Sequence, residues 1–214
     1  MYSTYAPPHG MSVPANSKRD NPRRQEILEA TLRLIGDRGV NSVTHRAVAE
    51  EANVALASTT YYFDSRSALV EEALELMIAR STEYVRRYTD CPPRISQAEL
   101  VDRLVGFADA HINDPLAFLL AQYELMLEAG RADYLRPLAA RWTIAYMDGF
   151  HRLVRSAGLP ETATQIIANF VEGALINHVT ARTDDFLEAG FRPLLTDLVA
   201  ALDSALPRAS REGG

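Results

Sequence analysis

The chain has 214 residues, of which 47% are hydrophobic and 23% charged, a balance typical of a soluble globular protein with one large or two small domains. The net charge of −6 argues against a protein that coats nucleic acid nonspecifically, and the single cysteine excludes an internal disulfide. Since no apolar run approaches about 20 residues and no secretory signal opens the chain, we expect no membrane span and a cytoplasmic location.

The charge is divided unevenly along the chain. Residues 1–66 carry 8 Lys or Arg and 7 Asp or Glu, a net of +1, so the remaining 14 basic and 21 acidic residues give −7. The N-terminal part is therefore the better candidate for contact with DNA. Residues 1–20 mix proline and glycine with polar residues without helical periodicity, which predicts a mobile tail.

Helix-start and helix-stop signals divide the rest of the chain. Asn21 and Pro22 begin a first helix that ends near Gly39, and Pro92 and Pro93 form the clearest later break. No segment alternates with a period of two, so we predict an all-α fold. The further predicted helices cover residues 44–53, 56–63, 66–88, 97–113, 116–129, 134–157, 161–182 and 193–206.

Residues 43–66 predict two short helices joined by a tight turn. Thr44 can cap the first helix through its hydroxyl, and Asn53 tolerates the left-handed backbone that such a turn requires. Residues 56–63 place hydroxyls and phenols over most of the second helix, which suits contact with phosphates and base edges in a major groove. A polar surface turn is the alternative interpretation.

Several motifs at fixed spacing occur between residues 22 and 75. They are Arg-x-x-Ile-Leu-x-Ala from Arg24, Arg-Gly at Arg38, Val-Ala-Glu from Val48 and Thr-Tyr-Tyr-Phe-x-Ser-Arg-x-x-Leu from Thr60. With them the segment resembles the DNA-binding domain of the tetracycline-repressor (TetR) family of bacterial transcription regulators. The resemblance implies a three-helix N-terminal domain with a helix-turn-helix and a helical C-terminal domain for ligand binding and dimerisation.

Four positions depart from the usual pattern of that family. The family often has Gly or Pro at the position of Ala57. It often has Tyr at the position of Thr60 and His at the position of Tyr62. A phenol at Tyr62 can still donate to a phosphate oxygen. Arg66 replaces the usual Lys, which preserves the charge and adds a fork able to grip phosphate in two places.

The helix-turn-helix motif implies a set of DNA contacts. We expect Arg46 to contact guanine or phosphate, and Leu56 and Ala57 to touch thymine methyl groups. The other contacts position the second helix, mainly through phosphates. The predicted DNA-binding residues are Thr44, His45, Arg46, Leu56, Ala57, Ser58, Thr60, Tyr61, Tyr62 and Arg66.

The C-terminal helices carry aromatic residues that share faces. Trp142, Tyr146 and Phe150 recur at intervals of four and lie on one side of their helix, and Glu172 is among the polar groups on neighbouring helices. Packed core is the simpler interpretation for any single residue. Because the second domain of the resembled family commonly binds an effector, we predict an effector site at Phe107, His111, Tyr123, Met126, Trp142, Tyr146, Phe150, Phe170 and Asn177.

No cofactor or metal is expected. His111, His151 and His178 lack the spacing of metal-binding motifs, and Asp148 with His151 lacks the second copy that a site in a helical bundle requires.

The last two helices are apolar over more of their surface than one buried stripe requires. Gly173 and Ala174 would allow a second helix to approach closely. Since the resemblance implies dimers, we predict that two copies join these helices into a four-helix bundle about a two-fold axis. A well-buried monomer core is the alternative.

These features predict a homodimeric repressor that a small-molecule effector releases from a near-palindromic operator. Two alternatives remain, an α-helical enzyme such as a metal-dependent bundle and a DNA-binding activator or architectural dimer without effector. The predicted organisation is a tail (1–20), a DNA-binding domain (21–66), a linking helix (67–90), an effector-binding and dimerisation domain (94–207) and a second tail (208–214).

Overall fold

The computed structural model describes residues 21–113, 116–181 and 185–205, and both predicted tails lie outside them. Within the described residues the chain forms nine α-helices and no strand, so the predicted all-α fold class is confirmed. The helices are α1 (Pro22–Arg38), α2 (His45–Glu51), α3 (Leu56–Tyr62), α4 (Arg66–Thr89), α5 (Gln97–Asn113), α6 (Leu116–Ala129), α7 (Arg136–Ser156), α8 (Thr162–Ala181) and α9 (Arg192–Ala205).

The ends of the first helices follow from their capping residues. The Asn21 side chain accepts from the backbone N–H of Arg23 at 2.9 Å, and Pro22 occupies the position where a missing N–H is harmless. Gly39 ends α1 with a φ of 78°. Ser65 caps α4 by accepting from the backbone N–H of Ala68 at 3.1 Å.

Two connections differ from the predicted ones. The helix expected from Tyr134 starts at Arg136, because a short 3₁₀ turn, Asp133–Leu135, precedes it. A π-helical segment, Phe186–Phe191, leads directly into α9, in the interval that the sequence analysis left outside its last two predicted helices. Apolar periodicity identifies buried residues, but it does not distinguish a widened helical turn from a loop.

One continuous hydrophobic core runs through the described residues, from Ile27 in α1 to Leu202 in α9. Its largest fully buried side chains are those of Phe63, Phe107, Phe150 and Phe191. The long helix α4 packs against α1 and also against α5, α6 and α7. It therefore connects the N-terminal helices with the C-terminal bundle.

Ion pairs attach α4 to α1 and to α7. Arg24 pairs with Glu72, and Arg80 with Glu29, between α1 and α4. Between these two positions on α4, Glu75 Oε1 lies 2.9 Å from Arg141 Nη2 on α7.

None of the helices in the described ranges is long and apolar enough to cross a membrane.

Candidate DNA-binding surface and effector site

The turn between α2 and α3 has the predicted geometry. Asn53 adopts a left-handed conformation with a φ of 52°, and the N–H of Val54 donates to the carbonyl of Ala49 at 2.9 Å. Thr44 caps α2 by accepting from the N–H of Ala47 at 3.0 Å. These contacts fix the angle between the two helices and hence the surface that α3 presents.

Thr59 holds α3 against α2. The sequence analysis did not predict this packing role. Its side chain is fully buried, and its hydroxyl lies 2.8 Å from the carbonyl of Leu56 and 3.3 Å from that of His45. Ala57, by contrast, is exposed. Within a helix made largely of hydroxyl residues, only the spacing of four from buried Phe63 could have indicated that Thr59 faces inward.

The predicted DNA-binding residues lie at the start of α2, along α3 and at the start of α4. Leu56 is 50% exposed and Tyr61 62% exposed, although both are large and partly apolar. The Arg46 side chain is 84% exposed and pairs with Glu50 of the same helix at 3.1 Å. Thr44, Ala57 and Thr60 are also exposed, whereas His45, Ser58, Tyr62 and Arg66 are half-buried.

Arg66 is already engaged within the protein. Its Nε donates to the carbonyl of Val43 at 2.8 Å and its Nη2 to the carbonyl of Val40 at 2.7 Å. These bonds hold the segment before α2 against the start of α4. The predicted fork toward phosphate is therefore turned, at least through these two nitrogens, toward the backbone.

Six of the predicted effector residues come together around one aromatic stack. The Tyr146 ring stacks on Trp142 at 5.2 Å and on Phe150 at 4.5 Å between centroids. Phe107 packs at 6.1 Å from Tyr146 and beside His111 at 4.1 Å. Tyr123 approaches from α6. The stack fills much of the interior, so the core interpretation applies to most of it.

A carboxylate lies beside this stack. The Tyr123 hydroxyl donates to Glu172 Oε2 at 3.3 Å, while the Tyr146 hydroxyl interacts with the same carboxyl group outside hydrogen-bond geometry. Burial raises the pKa of the Glu172 carboxyl, against a smaller opposing effect of the two phenols. Burial and the neighbouring carboxylate also raise the pKa of both Tyr123 and Tyr146, so both phenols stay neutral near pH 7.

The other three predicted effector residues lie elsewhere. Met126 is 45% exposed, because the inward stripe of α6 runs through Gln122 and Leu125 and leaves Met126 beside it. Phe170 and Asn177 line a separate cavity of about 390 Å³ between α8, the π-helical segment and α9. The predicted set is therefore not a single site.

A buried polar contact joins the aromatic stack to α4. The Trp142 indole Nε1 donates to Ser81 Oγ at 2.8 Å, and the Ser81 hydroxyl lies 3.3 Å from Gln122 Oε1. Ser81 on α4 thus links α6 and α7 inside the core. The sequence did not indicate this contact.

The helices α1 and α6 also pack very closely. A Cβ atom added to Gly36 would lie 2.1 Å from the carbonyl oxygen of Ala117, so only glycine fits there. The helix that carries Tyr123 therefore lies directly against a helix of the DNA-binding unit.

Within the described ranges, no group of three or more His, Cys, Asp or Glu residues could hold a metal ion.

Two family models match the chain. The model described as bacterial regulatory proteins of the tetR family matches residues 27–73. The model described as a tetracyclin repressor-like C-terminal domain matches residues 96–201. The first covers the helix-turn-helix, and the second covers the helices that carry the aromatic stack.

Curated relatives are transcription regulators. The transcriptional repressor KstR of Rhodococcus jostii is 34% identical over 102 residues, which cover 47% of this chain and 46% of that protein. The nicotine-responsive repressor HdnoR of Paenarthrobacter nicotinovorans is 25% identical over 154 residues, 72% of this chain and 78% of the relative. The chain spans about a third to a half of the length of several curated relatives that it matches.

Solved structures agree with the fold. The multidrug binding protein EbrR, solved in complex with ethidium, is 28% identical with a TM-score of 0.59, and the match covers 82% of this chain and 98% of that one. The helix-turn-helix geometry, the all-α architecture and both family models agree, and the chain belongs to the TetR family of bacterial regulatory proteins.

Proposed function

We propose that the chain is a homodimeric, DNA-binding transcriptional repressor that a small-molecule effector releases from a two-fold operator. The observation that carries the proposal is the outward face of the helix-turn-helix. Arg46, Leu56 and Tyr61 project from it, while Thr59 and Phe63 hold α3 from within. A rigid helix with an exposed polar and aromatic face suits insertion into a major groove.

Within this surface the residues divide into two roles. Arg46 is a long exposed cation suited to a guanine edge or a phosphate, and Leu56 and Ala57 are apolar groups suited to thymine methyls. Thr44, Thr60 and Tyr61 offer hydroxyls to phosphates. Arg66 acts by holding the segment Val40 to Val43 in place.

Dimerisation is proposed through α8 and α9. On α8, Ile167 and Val171 face the core while Ile166 is exposed. On α9, Leu195 faces the core and Leu194 is 59% exposed. The outward sides of both helices border the 390 Å³ cavity, and a second copy would cover this apolar surface.

Effector binding is proposed at the aromatic stack. Ligand contact with Tyr146 would move Trp142, and Trp142 is bonded to Ser81 on α4. Because α4 also carries ion pairs to α1, a shift there changes the separation of the two DNA-binding units. HdnoR is a nicotine-responsive repressor and EbrR a multidrug binding protein, and this similarity supports control of the present chain by a small molecule.

The test is footprinting on the DNA upstream of the gene for this chain, at defined salt, with and without a panel of small apolar and amine compounds. We expect a protected two-fold site and its loss with one class of compound. Typical coupling of about 1 to 3 kcal/mol corresponds to roughly a five- to 150-fold weakening. Only weak, salt-sensitive binding to any DNA would overturn the proposal.

A further inference from the structure

The Glu172 carboxylate in the C-terminal bundle has no basic partner among the residues that the structure describes. The Glu172 side chain is partly exposed, but its Oε1 atom is enclosed and, among the described residues, accepts no hydrogen bond. On neighbouring helices, Arg103 is paired with Glu99, and Arg192 with Glu188 and Asp102. A buried carboxylate without a cation is costly unless it is protonated or a ligand supplies the charge.

A second polar atom at the same place is also unsatisfied. Tyr146 is only 4% exposed, and its hydroxyl makes no hydrogen bond to any described residue. It interacts with Glu172 without reaching bonding geometry, so the two oxygens face the same small region. Buried polar atoms are normally paired. The Tyr146 O–H is the donor nearest the carboxylate, and even when it turns toward Glu172 the phenol oxygen and the carboxylate keep lone pairs that a further donor can use.

The chemistry of these oxygens defines what that donor is. When Glu172 is ionised, its Oε1 atom can only accept, and the Tyr146 oxygen keeps lone pairs free to accept. Tyr123 already donates to Oε2, so the carboxylate is oriented before any ligand arrives. Trp142 and Phe150 cover both faces of the Tyr146 ring, which leaves its oxygen rather than its π-face for a ligand.

We infer that the effector is an organic cation with at least one N–H, a protonated amine or amidinium attached to an apolar body. Its N–H groups donate to Glu172 Oε1 and to the Tyr146 oxygen, and its apolar part lies against the aromatic residues of the site. The partial exposure of Tyr123 and Glu172 gives an entry side. The inference rests on the proposed function, because it names the ligand class for the same effector site.

The mode of action follows from the neighbours of Tyr146. A cation bound to the Tyr146 oxygen draws that ring toward Glu172, and the stacked Trp142 ring must adjust with it. Trp142 carries the bond to Ser81 on α4. Binding of the cation would in this way displace α4, the helix that packs against the DNA-binding unit.

The test is isothermal titration calorimetry of the full chain with two aromatic N–H cations of different size, proflavin and phenethylamine. Acridone and 2-phenylethanol serve as uncharged comparators of similar shape. We expect at least one cation to bind, and Glu172→Gln to weaken that binding by about tenfold or more, as loss of a charge-assisted bond implies. The uncharged comparators should bind wild type and E172Q alike.

Two further variants separate recognition from loss of structure. Glu172→Asp keeps the charge and should retain part of the preference for cations, whereas Tyr146→Phe keeps the stacking and should weaken the cation severalfold. Binding of neither cation, or equal binding to wild type and E172Q, would overturn the inference. Operator binding without ligand is measured in parallel. Specific DNA binding without cation binding contradicts only the ligand class, and its absence in all variants contradicts the regulator itself.

Discussion

The indole Nε1 of Trp142 donates to Ser81 Oγ at 2.8 Å, and this buried bond is a direct polar link between the aromatic stack on α7 and helix α4. Because α4 also contacts α1 through ion pairs, Ser81 lies on one contiguous path from the aromatic stack to α1, beside the direct packing of α6 on α1. The bond is buried, so we expect it to contribute to stability, and the proposed function gives it a regulatory role as well.

Replacing Ser81 with Ala leaves the Trp142 N–H buried without a partner. We expect Ser81→Ala to lower the free energy of unfolding by about 1 to 3 kcal/mol. Urea denaturation measures the change. Thr143→Ala, an exposed position on the same helix as Trp142, should change stability by less than about 0.5 kcal/mol. Equal stability of S81A and T143A would contradict a structural role for the bond.

The α2–α3 unit could be predicted in detail, but contacts between distant helices could not. Asn53 and Thr44 act on backbone groups within a few residues of themselves, so their roles can be predicted from the local sequence. Ser81 and Thr59 are small hydroxyl residues whose burial depends on which helix packs over them, and local sequence does not encode that. Fold class and helix bounds follow from periodicity, proline and glycine.

The candidate effector site shows the same division. The spacing of Trp142, Tyr146 and Phe150 places them together because they lie on one helix. Met126 is exposed, and the sequence could not predict this. Its spacing of three from Tyr123 does not determine which neighbouring helix covers that side of α6. The unpaired oxygens of Glu172 and Tyr146 belong to different helices, and their proximity appears only after folding.

Arg46 is expected to contribute to the preference for the operator sequence and to add little to the stability of the fold. Its side chain is exposed and its ion pair with Glu50 is a surface pair. Arg46→Ala should reduce discrimination between operator and mutated operator by about 1 to 3 kcal/mol while the thermal midpoint stays unchanged. Arg152→Ala, an exposed residue in a similar pair on α7, is the control. Unchanged discrimination in R46A would exclude a base contact.

Replacing Arg66 is also expected to weaken DNA binding, but for a different reason. The sequence predicted a grip on phosphate, whose loss would weaken all sequences and reduce the salt slope by about 1. The bonds to Val40 and Val43 instead favour a positioning role. Arg66→Ala should then weaken every sequence and destabilise the fold, with the salt slope unchanged. A flattened slope at unchanged stability would restore the phosphate contact.

Gly173 tests the dimer surface. A Cβ atom there meets nothing within 4 Å in the single chain, so substitution by Arg is tolerated sterically unless a second copy packs against α8. We expect Gly173→Arg to shift the protein from dimer to monomer in sedimentation while the helical content remains. Ile144→Arg, at a 69% exposed position on α7, is the matched control and should stay dimeric. A dimeric G173R would place the interface elsewhere.

The buried carboxyl of Glu172 predicts a pH dependence of stability. Because burial raises its pKa above the ordinary value of 4.5, the folded chain holds the proton more tightly than the unfolded chain does. The stabilisation is fully present below that value and is lost as the pH rises through the folded pKa. Tyr123 and Tyr146, which face the group, remain neutral there. Glu172→Gln has no such loss, so its stability relative to wild type should increase with pH, measured by urea midpoints. Parallel curves would contradict this.

The most direct test of the account varies the distance between the two operator halves. Fluorescence anisotropy would compare the protected site with a duplex lengthened by about half a helical turn between half-sites normally about 34 to 36 Å apart. A dimer with one α3 per half-site cannot engage both halves once they face opposite sides, so affinity should fall by more than tenfold. Equal affinity for both duplexes would show that the chain does not bind as a two-fold dimer.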